Sequence, residues 1–159
     1  MEEKDLERAV RDVLRRMRAS SMMNLKLATA LMERVEAEAA RMGVNAVIAV
    51  SDAAGRPVAV HCMDGAYIGS YDVALGKTYT SVAFQMPTAR LAELAAPGGS
   101  LYGIQNTNEG KIVIFGGGEP LYADGVMIGA IGVSGGTAEQ DTKLGAYGKN
   151  ILKEVIAWK

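Results

Sequence analysis

Val126-Met127-Ile128-Gly129-Ala130-Ile131-Gly132-Val133, followed by Ser134-Gly135-Gly136-Thr137-Ala138-Glu139-Gln140-Asp141, is the stretch on which the fold turns. Its first half is apolar and rich in β-branched residues, which predicts a strand over 126–133 with Gly129 and Gly132 as gaps in the side-chain surface. Ser134-Gly135-Gly136 breaks the strand. Thr137 is a good helix N-cap and Gln140, three residues on, completes a capping-box pattern, so a last helix over about 138–156 follows. Just upstream, Asp124-Gly125 is a strong hairpin signal. It predicts that the 126–133 strand pairs with a short strand, Pro120 to Ala123. A strand at Lys111 to Phe115 is expected before it, interrupted by Gly116-Gly117-Gly118.

Working outward, Met22 to Met42 carries Leu25, Ala28, Leu31, Met32, Val35, Ala39 and Met42 at helical spacing, with Gly43 placed as a stop. Val44 to Val50 reads as a buried strand. Ser51-Asp52-Ala53-Ala54-Gly55 has turn chemistry, and Pro57 to Cys62 resumes as the second arm of a hairpin. Tyr67 to Phe84 is a second helix, closed by Pro87, and Thr88 to Leu94 a short helical piece. Pro97 to Gly110 is a long glycine-punctuated loop. Strands followed by helices rather than strict alternation imply an α+β class: an antiparallel β-sheet flanked by α-helices.

The first seventeen residues form a separate unit. Leu6, Val10, Val13, Leu14 and Met17 recur on one face of a helix, with Glu2, Glu3 and Asp5 at its start and Arg15, Arg16 and Arg18 at its end, as the helix dipole prefers. A four-turn helix of this kind is marginal alone and needs a surface for its apolar stripe. The expected organisation is therefore a helix over 1–18, a joint at 19–21 and a body over 22–159.

The bulk numbers narrow the function. A chain of 159 residues, 49% hydrophobic, supports one core. The net charge of −1 leaves no basic surplus for a phosphate backbone, so nucleic acid is not an expected partner. No apolar run reaches the roughly 18 residues of a membrane span, and the charged N-terminus is no secretory signal. A single cysteine, Cys62, and a single histidine, His61, exclude an internal disulfide and a multi-histidine metal site. A cytoplasmic protein is expected.

Five blocks together resemble one family: Val47 to Asp52; Met63-Asp64-Gly65-Ala66; Pro97 to Ile104; Phe115-Gly116-Gly117-Gly118-Glu119-Pro120; and Gly129 through Asp141. They are similar to the GlcG/HbpS haem-binding family, and most of all to the PduO C-terminal domain, over about 22–157. The resemblance implies a profilin-like fold, homo-oligomers up to octamers, haem binding and a haem-degrading label. A corrinoid is the second cofactor it brings into view, because relatives are attached to corrinoid adenosyltransferase domains; that helical domain is not expected in this chain. The first seventeen residues resemble the encapsulation peptides of bacterial microcompartment cargo, which implies docking on a shell or cargo protein and a location in the microcompartment lumen; the plain alternatives are an ordinary first helix packed on its own domain or a helix that pairs two subunits.

Haem needs an apolar slot, a cationic or polar rim and usually an axial ligand. His61 is the ligand by type, with Met63 on the same face of the strand and Val58 and Val60 on the other; a plain strand residue is the alternative for His61. Met22, Met23, Met32, Met63 and Met86 are soft-ligand candidates, each more ordinary as core. Lys77 is expected to meet a propionate or another carboxylate, or to stay solvated. Gly116, Gly117 and Gly118 offer backbone N–H groups to a carboxylate or oxyanion, or simply permit a bulge. Ser134 to Thr137 could take an anion at a helix N-terminus, although its capping pattern speaks first for a cap. Glu119 and Lys77 are the acid–base candidates if the chain is an enzyme acting on a small carboxylate or carbonyl metabolite. Cys62 is expected to be buried and inert, and Asp64 to cap the helix beginning near Tyr67. A structural cargo protein without a ligand is the remaining reading.

Overall fold

The computed structural model describes residues 3–20 and 22–157. Four strands, β1 (Val47–Asp52), β2 (Pro57–Cys62), β3 (Gly118–Ala123) and β4 (Val126–Ser134), form one antiparallel sheet in the order β2-β1-β4-β3. Five helices accompany it: α1 (Glu3–Ser20), α2 (Leu25–Arg41), α3 (Ser70–Phe84), α4 (Thr88–Ala95) and α5 (Ala138–Ala157). This is the α+β sheet flanked by helices that the sequence predicts.

The strand pattern sorts side chains to two faces. Ile48 and Val50 of β1 and Ile131 and Val133 of β4 join Leu27, Leu31 and Val35 of α2 and Leu144, Ile151 and Leu152 of α5 in the main core. Val47 and Ala49 point the other way, to Ala74 of α3. Local chemistry fixes the helix ends. Asn24 Oδ1 accepts from Leu27 N–H at the start of α2. At its end, Gly43 N–H donates to Ala40 and Val44 N–H to Ala39, a Schellman closure. The capping box of α5 is reciprocal: Gln140 N–H donates to Thr137 Oγ1 at 3.2 Å and Thr137 N–H to Gln140 Oε1 at 2.9 Å. Asp124 and Gly125 both take positive φ (48° and 78°), the primed hairpin turn their identity calls for.

Several expectations are corrected. Lys111 to Phe115 is not a strand; Val113 N–H is taken by Thr80 Oγ1 of α3, so this segment crosses the helix instead of pairing in the sheet. The glycine triplet therefore does not interrupt a strand but leads into β3. The β3–β4 register shift falls instead between Leu121 and Tyr122. A second shift, between Val50 and Ser51 of β1 opposite β2, breaks the expected alternation: Val58 joins Ala59 and Met63 against the main core while Val60 packs on the α3 side. β1 begins at Val47, not Val44, because Val44 is held by the closure of α2. α3 begins at Ser70 with Gly69 as its N-cap, after turns closed by Ala66 N–H to Met63 and Ser70 N–H to Tyr67, so Asp64 caps nothing. Cys62 is exposed, since it ends an edge strand on the side away from the main core.

α1 continues through Ala19 and Ser20, so the joint expected at 19–21 is helical for its first two residues; Ser21 lies outside the described residues. Leu6, Val10, Val13 and Leu14 are each about half exposed (48–54%). The side chain of Met17 lies outside the described residues.

Candidate functional site

The two glycine-rich turns do converge, and Lys77 lies between them. This lysine projects from α3, is fully buried, and donates from Nζ to Val133 O at 2.6 Å and to Asp141 Oδ2 at 2.9 Å. The Phe115 ring covers it at 5.2 Å. Burial pushes the Lys77 ammonium below its usual range, and the Asp141 carboxylate opposes that push. Asp141, buried in the first turn of α5, accepts with its other oxygen from Gly136 N–H at 2.9 Å. Gly117 threads past this pair at φ 117°, where an added Cβ would stand 2.5 Å from Val133 O and 2.8 Å from Lys77 Nζ. Gly118 N–H is spent on Thr88 Oγ1 at 2.8 Å.

These contacts bear on three expectations. Lys77 is not solvated; it has met a carboxylate, but that of Asp141. Gly118 and Gly136 do not hold their N–H groups open for an oxyanion, and Thr137 N–H is used by Gln140. Glu119 does not face Lys77. It sits opposite Ile131 in β3, on the main-core side of the sheet, and accepts from Lys149 Nζ of α5 at 3.0 Å. The place that resembles an active site in sequence is a closed, hydrogen-bonded junction.

His61 and Met63 are elsewhere. They belong to the β2 edge, while Gly118 opens β3 at the opposite edge; three strand spacings, about 14 Å, separate the two. His61 Nδ1 lies 3.1 Å from Glu36 Oε2 of α2, and Met63 Sδ accepts from Ala46 N–H at 3.4 Å. The residues proposed from sequence to share a cofactor thus fall into two groups.

A cleft of about 640 Å³, within the range of small-molecule sites, lies at the other end of the sheet. Its floor is Val126, Met127 and Ile128 from the start of β4; one side is Ala53 and Ala54 of the β1–β2 turn, and the other Met22, Met23 and Leu14. Arg56 stands at its rim, its guanidinium 3.2 Å from Asp52 Oδ2 and mostly exposed. Its walls are apolar and carry three thioethers, those of Met22, Met23 and Met127, and the charge at its rim is an ion pair, because Asp52 lines the cleft together with Arg56. Sequence reasoning named Met22 and Met23 but missed Met127 and Arg56, because nothing in their spacing distinguishes a cleft wall from a core or a surface turn. A second cleft, of about 660 Å³, lies over α3 between Arg56, Tyr79 and Lys111; it has cations but no imidazole or thioether.

An antiparallel four-stranded sheet with α2 and α5 on one face, α3 on the other and an apolar cleft at the strand ends defines a small α+β module. The chain belongs to the family described as haem degrading protein HbpS-like, which matches residues 23–149. It is 40% identical over 133 residues to an uncharacterized 15.0 kDa protein from the dhaT-dhaS intergenic region of Citrobacter freundii, covering 84% of this chain and 94% of that one. It is 38% identical over 116 residues to the corrinoid adenosyltransferase PduO of Salmonella typhimurium, which covers 73% of this chain; the chain spans only 33% of PduO. The crystal structure of a PduOC:haem complex superposes with a TM-score of 0.77 at 32% identity, covering 81% of this chain and 94% of that chain.

Proposed function

We propose that this chain is a haem-binding accessory protein of a bacterial microcompartment, holding the macrocycle in the cleft between Met22, Met127 and Arg56. The observation that carries the reading is the cleft itself: apolar on its walls, thioether-lined and rimmed by the exposed Arg56–Asp52 pair, in a chain whose structural neighbour was crystallised with haem. Met22 and Met127 are the thioethers not buried in the core, as Met23 is, and so are the ones able to offer sulfur to an iron; Arg56, paired with Asp52 but mostly exposed, keeps N–H donors for a further carboxylate. Haem bound there supplies the redox and ligand chemistry of its iron. A corrinoid, the bulkier macrocycle, is the second candidate.

The microcompartment part rests on the PduO relationship and on α1. Half-exposed Leu6, Val10 and Val13 give that helix an apolar stripe free to enter a groove on a shell or cargo protein. Oligomers, octamers among them, belong to the same reading, and the adjacent exposed side chains of Tyr67 (75%) and Ile68 (96%) offer apolar surface for a subunit contact. The enzyme reading through Glu119 and Lys77 has less support, since Lys77 is buried and its ammonium is committed to protein acceptors.

The test is a haemin titration of the full chain. A Soret shift with saturable stoichiometry is expected; its absence on the intact oligomer sinks the haem reading. Separately, residues 1–18 fused to a fluorescent protein are expected to gather in microcompartments of cells that make shells, and diffuse fluorescence would sink the targeting reading.

A further inference from the structure

The residues of α1 lie outside the span over which the chain matches its family, yet one of them reaches the cleft. We infer that the C-terminal part of α1 is a wall of the ligand site, so that this chain closes its cleft with a helix of its own. The inference rests on the reading of the cleft as a haem site. Leu14 lines the cleft together with Met22 and Met23, which follow it in sequence, and with Val126 and Ile128 of β4. Leu6, Val10 and Val13 are not among the lining residues. The stripe is therefore divided: its last part serves the chain's own cleft and its first part remains available to another protein.

The connection enforces this arrangement. Only residues 21–24 separate α1 from α2, a tether of at most about 14 Å. The tether keeps the C-terminal end of α1 near the cleft, and six residues of helix, about 9 Å, carry Leu14 from there to the rim at a raised effective concentration. A lone helix of this length is marginally stable, and Leu14 is still 52% exposed. A flat apolar ligand beneath it covers more of that side chain and steadies the last turns of α1. By linkage, whatever pulls Leu14 off the rim weakens the ligand by the same factor.

The experiment uses the full chain with Leu14→Asp, and Leu6→Asp as a control on the same stripe but away from the cleft. Circular dichroism checks that both keep the native helix content. Each is titrated with haemin, read by Soret absorption, and with 8-anilinonaphthalene-1-sulfonate, an apolar fluorescent anion. Amide exchange of residues 3–20 is followed in the native chain with and without ligand. Leu14→Asp is expected to weaken both probes on the order of tenfold, Leu6→Asp to leave them unchanged, and ligand to slow exchange in the last turns of α1. If the native chain takes no haemin, the haem reading falls and the fluorescent anion alone judges the wall. Equal affinities of Leu14→Asp and Leu6→Asp for a probe that the native chain binds overturn the wall and leave the haem reading standing. Failure of both probes on the native chain overturns both.

Discussion

The Lys77–Asp141 junction and the cleft under Leu14 stand at opposite ends of β4, seven residues apart from Val133 to Val126 and so about 23 Å. The junction collects everything a catalytic reading of the sequence looks for: a lysine, an aspartate, two glycine-rich turns and a helix N-terminus. Yet each of the polar groups described there is satisfied by protein, and the lysine is fully buried. The cleft collects alanine, valine, isoleucine and methionine, of which Met22 and Val126 are well exposed. Chemical type marks where a residue can act; unspent bonding capacity and open surface mark where it does. On the reading proposed above the junction serves stability and the cleft binding, and substitutions should separate the two.

The strongest break of that contrast is Lys77→Met. Removing one partner of a buried pair leaves the Asp141 carboxylate uncompensated, which costs about 3–5 kcal/mol. Denaturant unfolding checks it, and a loss below about 1 kcal/mol would mean that water reaches the junction. The pH dependence has a definite sign. Burial lowers the Lys77 pKa from its ordinary 10.5 in the folded chain. At alkaline pH between the folded and unfolded values the unfolded chain binds the extra proton, so stability rises with pH across that window. The native chain should therefore gain stability relative to Lys77→Met as pH climbs toward 10.5, measured as the difference between their unfolding free energies.

Next is Gly117→Ala. Its φ of 117° is foreign to an alanine and its Cβ would press on Val133 O and Lys77 Nζ, so a cost of about 2–3 kcal/mol is expected. A neutral result would show that the turn relaxes and that the junction is looser than its contacts indicate. Thr137→Ala, which removes one half of the capping box, is expected to cost about 1 kcal/mol, read as a fall in Tm with ligand affinity unchanged.

The fold was legible wherever a local device decides it. The capping box at Thr137 and Gln140, the Asp124-Gly125 turn and the Gly43 stop are each short-range, and each folds as its residues require. Lys111 to Phe115 is misread because Ile112, Val113 and Ile114 have strand composition, whereas long-range contacts such as that of Val113 with Thr80, 33 residues away, draw them over α3. The site was less legible for the same reason. Lys77 and Asp141 are 64 residues apart, and nothing local announces their pairing. Arg56 and Met127 sit beside one another only because β1 and β4 are neighbours in the sheet. Alternation misplaced Val58 because a register shift in the β1–β2 ladder is invisible to a count by twos.

The smallest expected effect on stability is the most telling for function. Met22→Leu combined with Met127→Leu keeps the volume and apolar character of the cleft, and such swaps cost less than about 1.5 kcal/mol in a packed core. Here Met22 is exposed and Met127 only partly buried, so a smaller loss is expected. The pair does remove both sulfurs proposed to face the iron. The absorption spectrum of bound haemin should change in position while its stoichiometry holds, because the apolar slot and Arg56 are untouched. His61→Ala, which breaks the contact with Glu36 on the β2 edge, should leave that spectrum as it is. The opposite pattern, a spectrum indifferent to both methionines and altered by His61→Ala, would return the axial role to His61. It would also move the macrocycle to the edge strand, where a second subunit would have to supply the slot that this face lacks.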